Sequence, residues 1–254
     1  MPPLFFQKGL NAWRRLSNGL PARGGVSPEV PNDLFQALAA VYAFAAGYAG
    51  GQRVLDLGCG TGYGSARLAA AGAASVVGID SDAKSLAYAR RRFTGPRFVN
   101  GSPEELPEDV GTDDRVDRII AADLLAHLKT PAAVLDRAIR HLAPEGLLLA
   151  AVPPILDDRT MERRQAAGGH LSNLYLWDWE SLFRKRFQTV RLFRAEPPAG
   201  ATLDLASPFP SKLRAEDFRW EEISPAHLGA AGSLSVVIVA GKPKQVASVL
   251  QSGR

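Results

Sequence analysis

Cysteine is almost missing from this chain. Cys59 stands alone in 254 residues, so no intrachain disulfide can form. Histidine is scarce too: His127, His141, His170 and His227 are the four copies available for imidazole chemistry. No apolar run reaches the ~20 residues needed to span a bilayer; Phe35 to Gly51 is short and broken by Gly47. Lys8, Arg14 and Arg15 interrupt the N-terminal stretch where a secretion signal would need an apolar core, so a cytoplasmic location is expected. No carboxylate cluster has metal-ligand spacing, and no metal is expected. Internal repeats are absent. The net charge of +4 is concentrated in no broad basic stripe, the densest cluster being Arg90-Arg91-Arg92. On a helix end such a cluster is a solvated face that complements the macrodipole. A nucleic-acid partner is therefore not expected. An apolar fraction of 46% and this length fit one α/β domain with additions.

What is present centres on Val54 to Gly64. Arg53 to Leu57 is apolar except for Asp56, and then Gly58, Gly60 and Gly62 fall on alternate residues. The pattern predicts a buried strand, a tight glycine turn, and a small-residue helix from Gly64 to Ala71. Glycine allows positive φ and close approach of a ligand to the main chain, and a helix start offers free N–H groups. Asp56 is a carboxylate on a buried strand and needs a partner. Ser75 to Ile79 is a second buried strand, ending at Asp80. That acid follows the glycine turn by about the ~20 residues expected of one that hydrogen-bonds ribose hydroxyls. Taken alone, the glycines fit a ligand-free turn as well.

Asp56-Leu57-Gly58-Cys59-Gly60-Thr61-Gly62 followed by Gly78-Ile79-Asp80 resembles the cofactor site of class I S-adenosylmethionine-dependent methyltransferases. The resemblance continues at Gly101 to Pro107, at Asp117 to Leu128, and at Leu142 to Leu149, so that it covers Val54 to Pro153 in the family's order. It implies a Rossmann-like, doubly wound α/β sheet of seven strands in the order 3-2-1-4-5-7-6, parallel with a C-terminal antiparallel edge. The implied cofactor is S-adenosylmethionine. The implied reaction is methyl transfer to O, N or C of a small-molecule acceptor. The alternatives are a methyltransferase acting on RNA or protein, and a protein that keeps the fold and cofactor without turnover.

The resemblance also assigns residues. Asp80 is expected to accept from the ribose hydroxyls, with Ser81 beside it. Asp56 is expected to orient the loop or meet the cofactor's amino group through water. Gly58 and Ala121 are expected to contact the methionine moiety through their backbones, with Cys59, Gly60, Gly62 and Tyr63 completing the turn. Ser102 stands where an aspartate commonly accepts from adenine, and Pro103 has no N–H, which leaves Glu104 for that contact. His127 matches the family's histidine after the fourth strand; it is a general base or a pocket wall. His170 is the candidate to face an acceptor, a surface histidine being the alternative. No Asn/Asp-Pro-Pro-aromatic sequence and no cysteine follow the fourth strand, which excludes exocyclic-amino DNA methylation and thiolate C5 chemistry. A nicotinamide dehydrogenase would need Gly in place of Tyr63 or Ser65.

The remaining chain divides into a leader (1–30) that is a candidate lid, a methyltransferase domain (31–242) and a tail (243–254). Asn32 or Asp33 should cap a first helix whose Leu34, Leu38, Val41, Tyr42 and Ala45 face the sheet. Further helices are expected over Ser81–Phe93, Pro131–Leu142 and Trp177–Phe187, and further strands over Arg97–Asn100, Arg118–Ala121, Leu147–Val152, Thr189–Phe193 and Leu234–Ala240. Arg194 to Gly232 reads as a long irregular link. The leader, the loop Pro153 to Tyr175 and this link are expected to build the acceptor site.

Overall fold

The computed structural model describes residues 28–106, 115–167, 169–205, 207, 209–224 and 235–244. Most of the expected leader, with Trp13, lies outside them, and so does the tail from 245. The strands are β1 (Arg53–Leu57), β2 (Ser75–Asp80), β3 (Arg97–Asn100), β4 (Val116–Ala121), β5 (Leu142–Val152), β6 (Phe187–Glu196), β7 (Arg219–Ile223) and β8 (Val236–Pro243). The helices are α1 (Asp33–Ala46), α2 (Tyr63–Ala70), α3 (Ala83–Arg92), α4 (Pro131–His141), α5 (Asp158–Ala167) and α6 (Leu176–Arg184).

All eight strands form one sheet in the order β3-β2-β1-β4-β5-β8-β6-β7. β1 to β5 pair in parallel. β8 runs antiparallel to both β5 and β6, and β7 runs antiparallel to β6. The expected seven strands are present in the expected order. The eighth, β7, comes from inside the stretch expected to be an irregular link. Its sequence, Arg-Trp-Glu-Glu-Ile, is charged because it is an edge. Glu221 and Glu222 pair with Arg194 and Arg191 of the neighbouring strand.

Strand residues alternate between two cores. Leu55, Leu57, Ile119 and Leu148 face α4 and α6, packing with Leu135, Ile139, Trp179 and Phe183. Val54, Val76, Ile120 and Leu149 face the other side, where α1 and α2 supply Val41, Tyr42, Ala45 and Leu68. Helices thus cover both faces, as strand-helix alternation requires.

Local chemistry explains the helix starts. Asn32 caps α1 by accepting from Phe35 N at 2.9 Å, and Asp82 rather than Ser81 caps α3. Thr130 precedes Pro131 at the start of α4, but the threonine side chain makes no capping bond. Two expectations about α1 fail. Leu34 and Leu38 are only half-buried, and alanines 37, 39 and 40 carry the packing instead. The reason is the 197–218 region, which lies against this helix. Leu203, Leu213, Ala215 and Phe218 join those alanines in one cluster. Asp204 N donates to Asp33 Oδ2 at 2.8 Å, and Ser211 N to Pro31 O at 2.9 Å. The described part of the link is a packed layer. The charged stretch after Pro154 is also structured, forming α5 with Asp157 accepting from Thr160 N. Among the described residues, no helix is long and apolar enough to cross a membrane.

Candidate active site

The carboxyl ends of β1, β2 and β4 meet above one edge of the sheet, where open α/β sheets hold their ligands. Asp56 lies below the glycine turn with no exposed surface. Its oxygens accept from the Tyr42 hydroxyl at 3.0 Å and the Ser65 hydroxyl at 2.6 Å. The required partners are therefore both hydroxyls, one from α1 and one from α2. Burial pushes the Asp56 carboxyl up to about 6, against the pull of the Ser65 and Tyr42 hydrogen bonds. Asp56 thus holds the turn from behind, the first of the two roles expected for it, with both hydroxyl bonds made inside the fold.

The turn is tied to β2 by three N–H groups. Gly58 N and Cys59 N both donate to Ile79 O, and Gly60 N donates to Asp80 Oδ2 at 2.8 Å. Since the Gly58 N–H is spent there, any ligand contact from that residue falls to its carbonyl or Cα. Cys59 is buried against Leu86, Ala89 and Phe98, with its thiol pushed above its ordinary range by burial and then by Asp56 and Asp80. It is a packed side chain. Gly60 has φ +52, and a Cβ placed there would meet nothing within 4 Å. The space above the turn is open where a ligand would approach the main chain. Gly62 has φ +79 and caps α2, and Gly64 lies on the Tyr42 ring so closely that a Cβ would fall 2.1 Å from Tyr42 Cζ. Thr61 is buried, and its hydroxyl has no hydrogen-bond partner among the described residues.

Asp80 Oδ1 accepts from Asp82 N at 2.8 Å, so each of its oxygens already holds one backbone N–H. Both keep a second acceptor position, and the residue is half-exposed at the strand end, with Ser81 exposed beside it. Ser102 caps a short 3-10 turn at Pro103–Glu105 by accepting from Glu104 N at 3.1 Å. The Glu104 N–H is thus held by Ser102, which leaves its side chain and carbonyl for any ligand contact, while Pro103 is buried. Ala121 is buried at the end of β4.

Tyr63 opens α2 and packs on Phe35 and Tyr42, with ring centroids 4.8 Å and 5.4 Å away. Burial, then the Asp123 and Asp56 carboxylates, raise its hydroxyl well above the ordinary range. Leu124, the residue after Asp123, touches the glycine turn directly, its Cδ1 standing 2.9 Å from where a Gly58 Cβ would be.

The fold then brings together residues that the sequence keeps apart. His127 and His170 have ring centroids 4.7 Å apart. His127 Nδ1 is 2.8 Å from Gly169 O, and Nε2 is 3.6 Å from Asp123 Oδ2. Asp123 raises the His127 pKa above its ordinary value, with burial opposing. His170 is lowered by burial first, then by the charges of His127 and Arg164. The loop carrying His170 is fastened to the turn carrying His127. Leu171 N and Ser172 N both donate to Ala126 O, and Ser172 Oγ donates to Leu128 O. Among the described residues, one donor atom from each of Asp123, His127 and His170 lies within 4.8 Å of the others. The expectation of no metal rests on carboxylates close in sequence, whereas the third member of this group stands 43 residues after His127 on another loop. Asp123 was not singled out; its φ of +54, rare outside glycine, had no sequence signal beyond a position at a strand exit.

Comparison with known proteins gives a matching frame. A family model described as "Methyltransferase domain" matches residues 54–146. A probable S-adenosylmethionine-dependent methyltransferase of Mycolicibacterium smegmatis is 33% identical over 143 residues, 54% of this chain and 53% of that protein. The demethylmenaquinone methyltransferase of Clavibacter sepedonicus is 37% identical over 111 residues, 41% of this chain and 44% of that protein. The matched stretch thus spans about half the length of these curated relatives, or less. In fold, the chain is similar to the N-methyltransferase NodS from Bradyrhizobium japonicum, solved with S-adenosyl-L-homocysteine. The TM-score is 0.59 at 14% identity, covering 92% of this chain and 100% of that one. The glycine turn, Asp80 and the sheet order agree with these similarities, which support a class I S-adenosylmethionine-dependent methyltransferase domain over residues 54–146.

Proposed function

We propose that this protein binds S-adenosylmethionine over the glycine turn and transfers its methyl group to a small-molecule acceptor. One observation carries the reading: Gly60 presents open space above the main chain while its N–H is locked to Asp80 at 2.8 Å. A rigid, uncovered turn beside a half-exposed carboxylate fits a nucleoside whose ribose hydroxyls need an acceptor. When bound, the cofactor supplies an electrophilic methyl on a sulfonium. This chain's residues would orient it. Asp80 would hold the ribose, and Gly58 and Ala121 would border the methionine moiety. The acceptor would enter over the β4 exit, among Asp123, His127 and His170. Displacement at a methyl asks chiefly for alignment and exclusion of water, so no enzyme nucleophile is required.

The small-molecule class is supported by the name of the demethylmenaquinone relative. A second reading, an RNA acceptor, rests on a tRNA U34 carboxymethyltransferase of Alcanivorax borkumensis, which is 42% identical over 86 residues and 26% of that protein. Calorimetric titration tests the cofactor. S-adenosylmethionine and its demethylated product should both saturate, and NAD should not. Asp80→Ala should weaken binding by about 1.5–3 kcal/mol for each charged hydrogen bond lost. Saturable binding of NAD without S-adenosylmethionine would overturn the reading. Incubation with methyl-labelled cofactor, a metabolite extract and total RNA then assigns the acceptor by which fraction carries the label.

A further inference from the structure

We propose that Asp123, His127 and His170 form a binding site for one divalent transition-metal ion at the exit of β4. The three donor atoms lie within 4.8 Å of one another, so a single point falls within about 2.8 Å of all three. Metal–ligand distances of about 2.0–2.2 Å are reached from there by small side-chain rotations.

The His127 ring carries the argument. Its Nδ1 faces the carbonyl of Gly169 at 2.8 Å, and a carbonyl only accepts, so Nδ1 bears the hydrogen. Nε2 then turns its other side to the Asp123 carboxylate at 3.6 Å. That distance exceeds a hydrogen bond, and a charge-assisted one would close to about 2.7–2.9 Å. Two ligands of one tetrahedral ion, each about 2.0–2.2 Å from it, stand roughly 3.3–3.6 Å apart. The Gly169 carbonyl does what outer partners of metal-bound imidazoles do: it fixes the tautomer and the ring plane.

The surroundings are built to hold this arrangement. Three hydrogen bonds, from Leu171 N, Ser172 N and Ser172 Oγ, fasten the His170 loop to the 126–128 turn. The side chains of Asp123 and His127 are each 42% exposed, leaving a path of entry and room for further ligands. Two imidazoles and one carboxylate favour zinc, iron, cobalt or nickel over magnesium or calcium. On the methyl-transfer reading above, an acceptor oxygen or nitrogen would take an open position on the ion, beside the glycine turn that Leu124 touches.

The test uses the full, untagged chain after chelator treatment, without S-adenosylmethionine. Zn²⁺ is titrated by calorimetry and Co²⁺ by visible absorption. One equivalent should bind, and Co²⁺ should develop the d–d bands of a nitrogen-ligated site. Asp123→Asn, His127→Gln and His170→Gln should each weaken Zn²⁺ binding by more than the roughly 10–100-fold that loss of an outer partner costs. His141→Gln, on α4, should bind as the parent does. Circular dichroism and an unfolding midpoint close to the parent's identify variants that have kept the fold, and the conservative Asp123→Asn suits the positive φ at that position. Absence of saturable binding, or binding that all three substitutions leave unchanged, overturns the site. Because the metal is measured alone, that failure is separate from failure of the cofactor reading.

Discussion

Asp56 is a charge placed where water cannot reach it, and two hydroxyls make that tolerable. The Tyr42 and Ser65 bonds at 3.0 Å and 2.6 Å tie α1 and α2 to the end of β1. Tyr42→Phe should destabilise the fold by about 1–3 kcal/mol, the cost of leaving a buried acceptor short of a donor. It should also raise the Asp56 pKa further, because the lost bond favoured the ionised form. The pH dependence follows from the direction of the shift. The folded protein binds this proton more tightly than the unfolded chain, moving from 3.8 to about 6. The stability contributed by Asp56 is therefore greatest below about pH 4 and is lost as pH rises through 6, a span of about 3 kcal/mol at ~1.4 per unit. Chemical denaturation of the parent and Asp56→Asn across pH 4 to 7 checks this. The parent should lose stability relative to the variant over that window, and a parallel pair of curves would refute it.

At the scale of elements, the start of α2 is packed more closely than any other described glycine position. A Cβ at Gly64 would fall 2.1 Å from Tyr42 Cζ, so the helix rests on the ring with no space for a methyl group. Gly64→Ala should cost about 1–3 kcal/mol or more through overpacking, measured as a fall in the unfolding midpoint. Because α2 carries the last residues of the glycine turn, cofactor affinity should fall with it. This joint also shows what could be read beforehand. The turn, Asp56 and Asp80 were legible because a buried strand ending in an acid or alternate glycines is a local pattern. The need of Asp56 for a partner was legible too, but not which partner, since Tyr42 reaches it from another element. β7 was hidden for a different reason. A five-residue charged edge strand lacks the apolar alternation that marks one half-buried on the core. The Asp123, His127 and His170 group was hidden because a 3-10 turn and a separate loop bring its members together.

For the molecule as a whole, a two-sided sheet explains the division of labour. One half, β1 to β5, presents its strand ends to the site; the other, β6 to β8, extends the sheet away from it. The Arg186 guanidinium holds Asp136 by two bonds of 2.7 Å and 2.8 Å, locking α4 to the approach of β6. Arg186→Ala should lower the unfolding midpoint with a loss of about 1–3 kcal/mol, yet leave S-adenosylmethionine titration within a few fold, because this clamp is remote from the glycine turn. A large loss of cofactor affinity in a folded Arg186→Ala protein would show that the two halves are not independent. The position of β8 has one more consequence, for synthesis. It is made after β6 and β7 and yet stands between β5 and β6, pairing with both. During elongation, the glycine turn, Asp80 and the β4 exit emerge while β5 still exposes a bare apolar edge. The β6–β7 pair meanwhile lacks the strand that joins it to β5. Until residues 236–243 leave the ribosome the nascent chain is therefore half a sheet with an open flank, which is where chaperone demand and mispairing should concentrate.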